Sequence, residues 1–215
     1  MAKIEFLTVN PFQENTYVIF DETLECAIID PGVSNSYEQS MLEQIIDKHQ
    51  LKPVLLLNTH CHIDHVLGNS YVAKKWNLQL GIHQKDKIML DAATDRSMNW
   101  GIPYDQSPEP GYFITEGETL KFGNTELEVR FVPGHAPGHI VFIDHSSKTV
   151  IAGDTLFNGS IGRTDLPFGD FSILEKAIRE QLYTLPDDYT VYPGHGPSTT
   201  IGQEKTTNPF VKSKN

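Results

Sequence analysis

Hydrophobic positions alternate along "KIEFLTV" and recur in "NTYVIF" and "ECAIID", where the run breaks at Pro31-Gly32. This pattern predicts three short strands punctuated by turns. In "SYEQSMLEQIIDKHQ" the period lengthens. Met41, Leu42, Ile45 and Ile46 fall on one helical face, with Ser36 as the predicted N-cap. "PVLLLNT" reads as a buried strand running straight into "HCHIDH", and Asp64 is placed to open the next helix, "DHVLGNSYVAKKW". A strand, "LQLGIH", and a short helix near residues 84–92 follow. Residues 94–118 read as an irregular loop containing Gly101, Pro103, Pro108, Pro110, Gly111 and Gly117. A loop of that length in a compact domain often serves as a lid over a site. Strands return with "TLKFG", "TELEVRFVP", "HIVFIDH" and "KTVIAGD", and a helix, "FSILEKAIREQLYTL", precedes a last strand, "YTVYPGHG". Strand runs at both ends of the chain, each followed by helices, predict an α+β fold. Two sheets should pack face to face with helices outside.

Size and charge narrow this picture. A chain of 215 residues fits one domain, expected over residues 1–215, and no internal repeat divides it. Its net charge of −11 repels phosphate backbones, which argues against a nucleic-acid partner. No apolar run approaches the ~20 residues needed to span a bilayer, so no membrane partner is expected. The amino end, "MAKIEFLTVNPF", lacks the apolar stretch of a secretory signal, and Cys26 and Cys61 make no disulfide framework. Together these imply a reduced, cytoplasmic setting.

The chemistry concentrates in "NTHCHIDH". A segment leaving a strand keeps near-alternating side chains, so His60 and His62 face one way and Cys61 the other. If a helix starts at Asp64, then Asp64 and His65 turn back toward the same pocket. Four side chains from one corner crowd a single tetrahedral ion, and two neighbouring ions are the more natural solution. Further ligands are expected where strands meet glycine-bearing turns: His135 in "VPGHAPGH", Asp154 in "IAGDT" and His195 in "VYPGHG". Shared out, His60, His62 and His135 hold one ion, while Asp64, His65 and His195 hold the other. Asp154 and one water or hydroxide bridge them. Imidazole with carboxylate and no required thiolate suits zinc, iron or manganese. Paired ions roughly 3.5–4 Å apart bring the pKa of a shared water toward neutrality and polarise a substrate oxygen, which points to hydrolysis.

"HCHIDH" is similar to the H-x-H-x-D-H signature of the metallo-β-lactamase superfamily, and His135, Asp154 and His195 match its later ligand motifs in order. "GDTLFNGSIGRTDLP" and "GHGPSTTIGQEKTTNPF" further resemble short bacterial glyoxalase II-like hydrolases. The resemblance runs from about Phe6 to Phe210. It implies a metallo-β-lactamase-type αβ/βα sandwich of two mixed sheets with a binuclear site at one edge. The implied reaction is hydrolysis of an S-acyl glutathione thioester such as S-lactoylglutathione. In that scheme Asp64 and Asp154 are the catalytic carboxylates and a metal-bridging hydroxide is the nucleophile. Two divalent ions, zinc first, with iron or manganese as alternatives, are the implied cofactors. Long glyoxalase II enzymes carry a C-terminal helical domain that grips glutathione. With 20 residues after His195, that domain is not expected here. Thioesters remain chemically sensible, because a thiolate of pKa ~8.5 leaves without a strong general acid.

Other residues divide between functional and structural roles. His139 is expected to order the loop or a ligand, and Asp30, in "IIDPG", to cap a turn and support the site. Cys61 reads as a small buried thiol. Arg163 meets an anionic substrate or pairs with Asp165 or Asp170. Trp100, Tyr104 and Tyr112 line the cleft or pin the long loop. Lys74, Lys75, Lys85 and Lys87 fit solvated helix faces. Two rivals stand beside thioester hydrolysis. One is a mono-iron persulfide dioxygenase of the same superfamily using His60, His135 and Asp154, although "GSIGRTD" departs from the pattern associated with it. The other is a non-enzymatic metal-binding protein. Hydrolysis of β-lactams is weaker, given the missing export signal.

Overall fold

Alternation along the central strands sorts buried side chains into three layers, and these layers define the architecture. A computed structural model describes residues 1–211; positions 212–215 of the expected 1–215 unit lie outside the described residues. The first sheet runs β1 (Lys3–Val9), β2 (Glu14–Phe20), β3 (Glu25–Ile29), β4 (Lys52–Leu57), β5 (Leu80–His83) and β6 (Tyr112–Ile114), in that spatial order. Its first three strands pair antiparallel and the rest parallel. The second sheet is built from β7 (Thr119–Phe122), β8 (Thr125–Phe131), β9 (Ile140–Asp144), β10 (Thr149–Gly153), β13 (Thr190–Pro193) and β14 (Thr199–Thr200). A short hairpin, β11 (Leu156–Phe157) and β12 (Ser160–Ile161), lies between β10 and β13 in the chain.

In β2, Tyr17 and Ile19 point to the second sheet while Val18 and Phe20 point to the outer helices. In β9, Ile140 and Phe142 face the first sheet while Val141 and Ile143 face outward. Successive side chains on opposite faces, all apolar, mark strands covered on both sides. Helices α1 (Ser36–Lys48), α2 (Ile63–Val66), α3 (Asn69–Trp76), α4 (Lys87–Asp91) and α5 (Ala93–Trp100) cover the first sheet, with Leu42, Ile46, Val72 and Met89 in the shared core. Helices α6 (Phe171–Ala177) and α7 (Ile201–Thr207) cover the second through Leu174, Ala177 and Ile201. The expected α+β sandwich, two mixed sheets face to face with helices outside, is the observed one.

Three local expectations are corrected. The N-cap of α1 is Asn35, whose side chain accepts from the N–H of Tyr37 and Glu38; Ser36 is the first helical residue. The helix after the histidine cluster starts at Ile63 and stops at Leu67, and α3 begins separately after Gly68. The stretch read as irregular from 94 to 118 starts with most of α5 and contains β6. Helix α5 lacks an apolar stripe because it buries only Ala93 and Ser97. It ends where Gly101 adopts φ 66° and the N–H groups of Gly101 and Ile102 cap the last turn. Helix α7 and strand β14 were not anticipated.

Candidate metal centre

Both sheets end their central strands at one edge, and the polar residues follow immediately. Asp30 follows β3, His60 follows β4 and Asp154 follows β10, while His195 lies two residues beyond β13. His135 lies in the connection from β8 to β9. The edges are laced together by backbone. Ile140 N–H donates to Thr59 O at 2.9 Å, Gly194 N–H to Gly153 O at 2.8 Å and Asn15 N–H to Gly194 O at 2.7 Å. Gly194 admits this approach, since a Cβ there would sit 2.1 Å from Asp154 Oδ1 and 2.8 Å from His65 Cε1.

Four imidazoles turn their outer nitrogen to a fixed acceptor. His60 Nδ1 meets Thr59 Oγ1 at 3.1 Å, His65 Nδ1 meets Asp30 Oδ2 at 3.2 Å and His135 Nδ1 meets Arg163 O at 2.7 Å. His195 Nδ1 meets the carbonyls of Phe12 and Gln13 at 3.1 and 3.2 Å. Donation outward fixes the tautomer and leaves the inner Nε2 lone pair free. Inside, His62 Nδ1 lies 3.1 Å from His60 Nε2 and 2.8 Å from His135 Nε2. On the other side, Asp64 Oδ2 lies 3.1 Å from His195 Nε2 and 3.6 Å from His65 Nε2. Asp154 stands between the halves. Its Oδ1 is 3.5 Å from His65 Nε2, and its Oδ2 is 3.4 Å from His135 Nε2 and 3.5 Å from His195 Nε2.

The donor atoms of His60, His62 and His135 lie within 4.8 Å of one another, as do those of Asp64, His65 and His195. Buried lone pairs packed this closely without protons to share are costly unless a cation sits among them. His65 Nε2 and Asp154 Oδ1 are buried without a hydrogen-bond partner, the signature of donors awaiting such a group. The donor chemistry therefore fits divalent metal. A third grouping, Asp30 with His60 and His65, meets the same distance test. Its carboxylate is already committed to Thr59, through N–H at 2.7 Å and Oγ1 at 2.6 Å, so it reads as an orienting network.

Electrostatics follow from the crowding. Burial and the neighbouring imidazoles hold His60 well below its usual range, and burial with His135 brings His62 down to about 3. Burial alone would lower His65 too, but Asp64 and Asp154 outweigh it and raise this imidazole well above its ordinary value. Against the effect of burial, His65 and His135 hold the Asp154 carboxyl far below the carboxylate range. Ionised carboxylates that draw a proton onto His65 mark a place where positive charge is favoured, and a cation would supply that charge in the proton's stead.

The remaining sequence candidates are placed as follows. Cys61 is fully buried and points away from the imidazoles, into the core beside Ile63 and Val66. His139 stacks on His60 and its Nε2 accepts from Asp154 N–H at 3.0 Å. Arg163 closes on Asp165 with two bonds of 2.8 Å while its side chain borders the cavity. Trp100 lines the cavity. Tyr104 instead bonds Ser107, and Tyr112 packs over Gly81. Lys74, Lys75 and Lys87 pair with surface carboxylates, and Lys85 lies over Phe131.

Two residues escaped the sequence reading. Glu14 is wholly buried below His65, with Oε1 3.8 Å from His65 Nδ1, and burial pushes its carboxyl well up. Asp86 is also wholly buried. Its Oδ2 accepts from Cys61 N–H and its Oδ1 from Gly138 N–H at 2.8 Å. One carboxylate thus ties the loop between His60 and His62 to the loop between His135 and His139. Neither gives a local signal, because "FQEN" and "QKDK" read as exposed polar stretches.

Histidines and carboxylates converging where two mixed sheets meet, at the floor of a cavity of about 500 Å³, define a metallohydrolase-type sandwich. The chain belongs to the metallo-beta-lactamase superfamily, whose family model matches residues 9–195. It is 41% identical to hydroxyacylglutathione hydrolase GloC of Haemophilus influenzae, over 98% of this chain and 99% of that one. Among solved structures it is similar to BLEG-1 B3 metallo-beta-lactamase, with 32% identity, TM-score 0.89 and coverage of 97% and 99% of the two chains. It is likewise similar to TTHA1623 in a di-iron-bound form, with 36% identity, TM-score 0.86 and coverage of 96% and 99%. Among the described residues, no helix is long and apolar enough to cross a membrane.

Proposed function

We propose that this metallohydrolase cleaves thioesters of the hydroxyacylglutathione type. His60, His62 and His135 would hold one divalent cation and Asp64, His65 and His195 a second, with Asp154 shared between them. The observation that carries the reading is the set of inward nitrogens whose outer partners are already hydrogen-bonded, gathered around Asp154 at the cavity floor. Support for the substrate class comes from the likeness to GloC. Zinc and iron both suit the donor set.

Bound cations would supply a water acidified toward neutral pH and an electrophile for the carbonyl oxygen. The chain's own groups do the rest. Asp64, held low by His65 and His195 against the effect of burial, stays ionised and would offer its carboxylate to the second cation. Thr59, Asp30 and the Arg163 carbonyl keep the imidazoles in one tautomer and one orientation. Phe12, Trp100 and Phe157 wall the cavity and limit water around the acyl group. A thiolate of pKa ~8.5 departs without a protonating side chain.

The test joins metal analysis to a panel of thioesters with different thiols, run beside oxygen uptake with glutathione persulfide. Metal-dependent thiol release, fastest with the glutathione thioester, is the expected result. A fully metallated protein that turns over no thioester, or that consumes oxygen with the persulfide instead, would sink the reading.

A further inference from the structure

Arg96 borders the cavity from α5, one turn before Trp100 on the same helical face. Trp100 packs on Phe12 with ring centroids 5.2 Å apart, which anchors this wall beside the candidate metal centre. Arg130, Arg163 and Arg179 each close on a carboxylate, from Glu128, Asp165 and Glu175. Arg96 has no such partner among the described residues. Its Nη2 reaches only the Met89 thioether, at 3.3 Å, and its Nη1 is shielded from water without any acceptor. Asp86 attracts it through space, but both Asp86 oxygens are taken by the N–H groups of Cys61 and Gly138. A guanidinium held beside a cavity by nothing stronger than a thioether can turn its donors, the shielded Nη1 included, to an incoming anion, and a carboxylate fits the fork. The need is real, because the cavity floor carries Asp64 and Asp154 and the chain's net charge is −11. Arg163, the other arginine at the cavity, already has Asp165 across its fork.

We propose that Arg96 is the residue that selects a carboxylate-bearing thiol carrier, by gripping a carboxylate of the thioester distant from the scissile carbonyl. The proposal rests on the thioesterase reading for its substrate and deepens it. It assigns recognition to a side chain within the α+β sandwich itself. The aromatic face formed by Trp100 and Phe12 would take the uncharged stem between carboxylate and sulfur.

Two thioesters that differ in thiol charge make the test: S-lactoylglutathione, with two carboxylates on the thiol, and S-lactoyl-N-acetylcysteamine, with none. In the metal-loaded protein, Arg96→Gln is expected to raise KM for the glutathione thioester roughly tenfold or more with kcat little changed. KM for the uncharged thioester should stay the same. Arg96→Lys, which keeps the charge and loses the fork, should fall between. Equal losses on both thioesters, or no loss on either, would overturn the proposal and leave Arg96 as a packing partner of Met89 and Asp86. Calorimetric titration with S-methylglutathione, which cannot be hydrolysed, separates the two readings. Binding lost in Arg96→Gln while the wild type turns over no thioester would keep the anchor and discard the thioesterase. Binding unchanged in Arg96→Gln would discard the anchor whatever the turnover.

Discussion

Asp86 accepts the Gly138 N–H at 2.8 Å while its other oxygen accepts the Cys61 N–H, so one buried carboxylate spans the two loops that present His60, His62 and His135. Replacing it by alanine would strand two buried N–H groups, at about 1–3 kcal/mol each. For a chain of this size that corresponds to a fall of roughly 4–24 °C in the thermal midpoint. Metal affinity should drop by about 10–100-fold as the loops separate. Calorimetry and a chelator-competition titration of Asp86→Ala check both, and an unchanged metal affinity would show that the tie does not matter to the site.

Gly194 leaves no room for a side chain against Asp154 Oδ1 and His65 Cε1. Gly194→Ala is therefore expected to cost about 1–3 kcal/mol through overpacking. The methyl group would push Asp154 out of line, so activity should fall by more than the small stability loss explains. Wild-type kcat/KM in this variant would mean that the strand edge gives way freely.

Asp154 touches donors of both halves. Asp154→Ala should lose half or more of the bound metal and roughly two orders of magnitude or more in turnover. Elemental analysis beside thioester kinetics reads both. Full turnover with the metal absent would exclude a role for paired ions.

The pH dependence of the chelator-treated protein follows from the displaced imidazoles. A free imidazole titrates near ~6.5, whereas folded His62 is held down to about 3. Between those values the unfolded chain binds the proton and the folded one does not. Stability therefore falls as pH falls through this window, by up to ~1.4 kcal/mol per unit from this group. His60 and His139 are displaced in the same direction. His65 works oppositely: its raised value stabilises the fold at low pH, and that part is lost as pH rises through its folded pKa. Four site imidazoles displaced downward, His60, His62, His135 and His139, against two displaced upward, His65 and His195, give a melting midpoint that drops on acidification from 6.5 toward 4. A midpoint that is flat or rising there would contradict this environment for the imidazoles.

The short, turn-bounded apolar runs of β2, β3, β9 and β10 correspond to strands covered on both faces. His60, His62, Asp64 and His65 are legible from their density after one strand, and His135, Asp154 and His195 from strand ends that meet glycine-bearing turns. Helix α5 was missed because its cavity face carries Arg96 and Trp100 instead of an apolar stripe. A wall that serves a ligand need not obey the periodicity of a wall that serves a core.

Sequence alone determined the main strands, the layered class of the fold and the chemical character of the site, since these depend on residue type and spacing. Only the tertiary structure decided which groups meet. It set Glu14 beneath His65, bonded Asp86 to Cys61, 25 residues before it, and to Gly138, 52 residues after it, and left Arg96 at the cavity wall with no bonded carboxylate among the described residues. Such contacts are made by residues that look like ordinary surface polar groups in the chain. Burial and partnership, which give them their energy, exist only once the two sheets have closed.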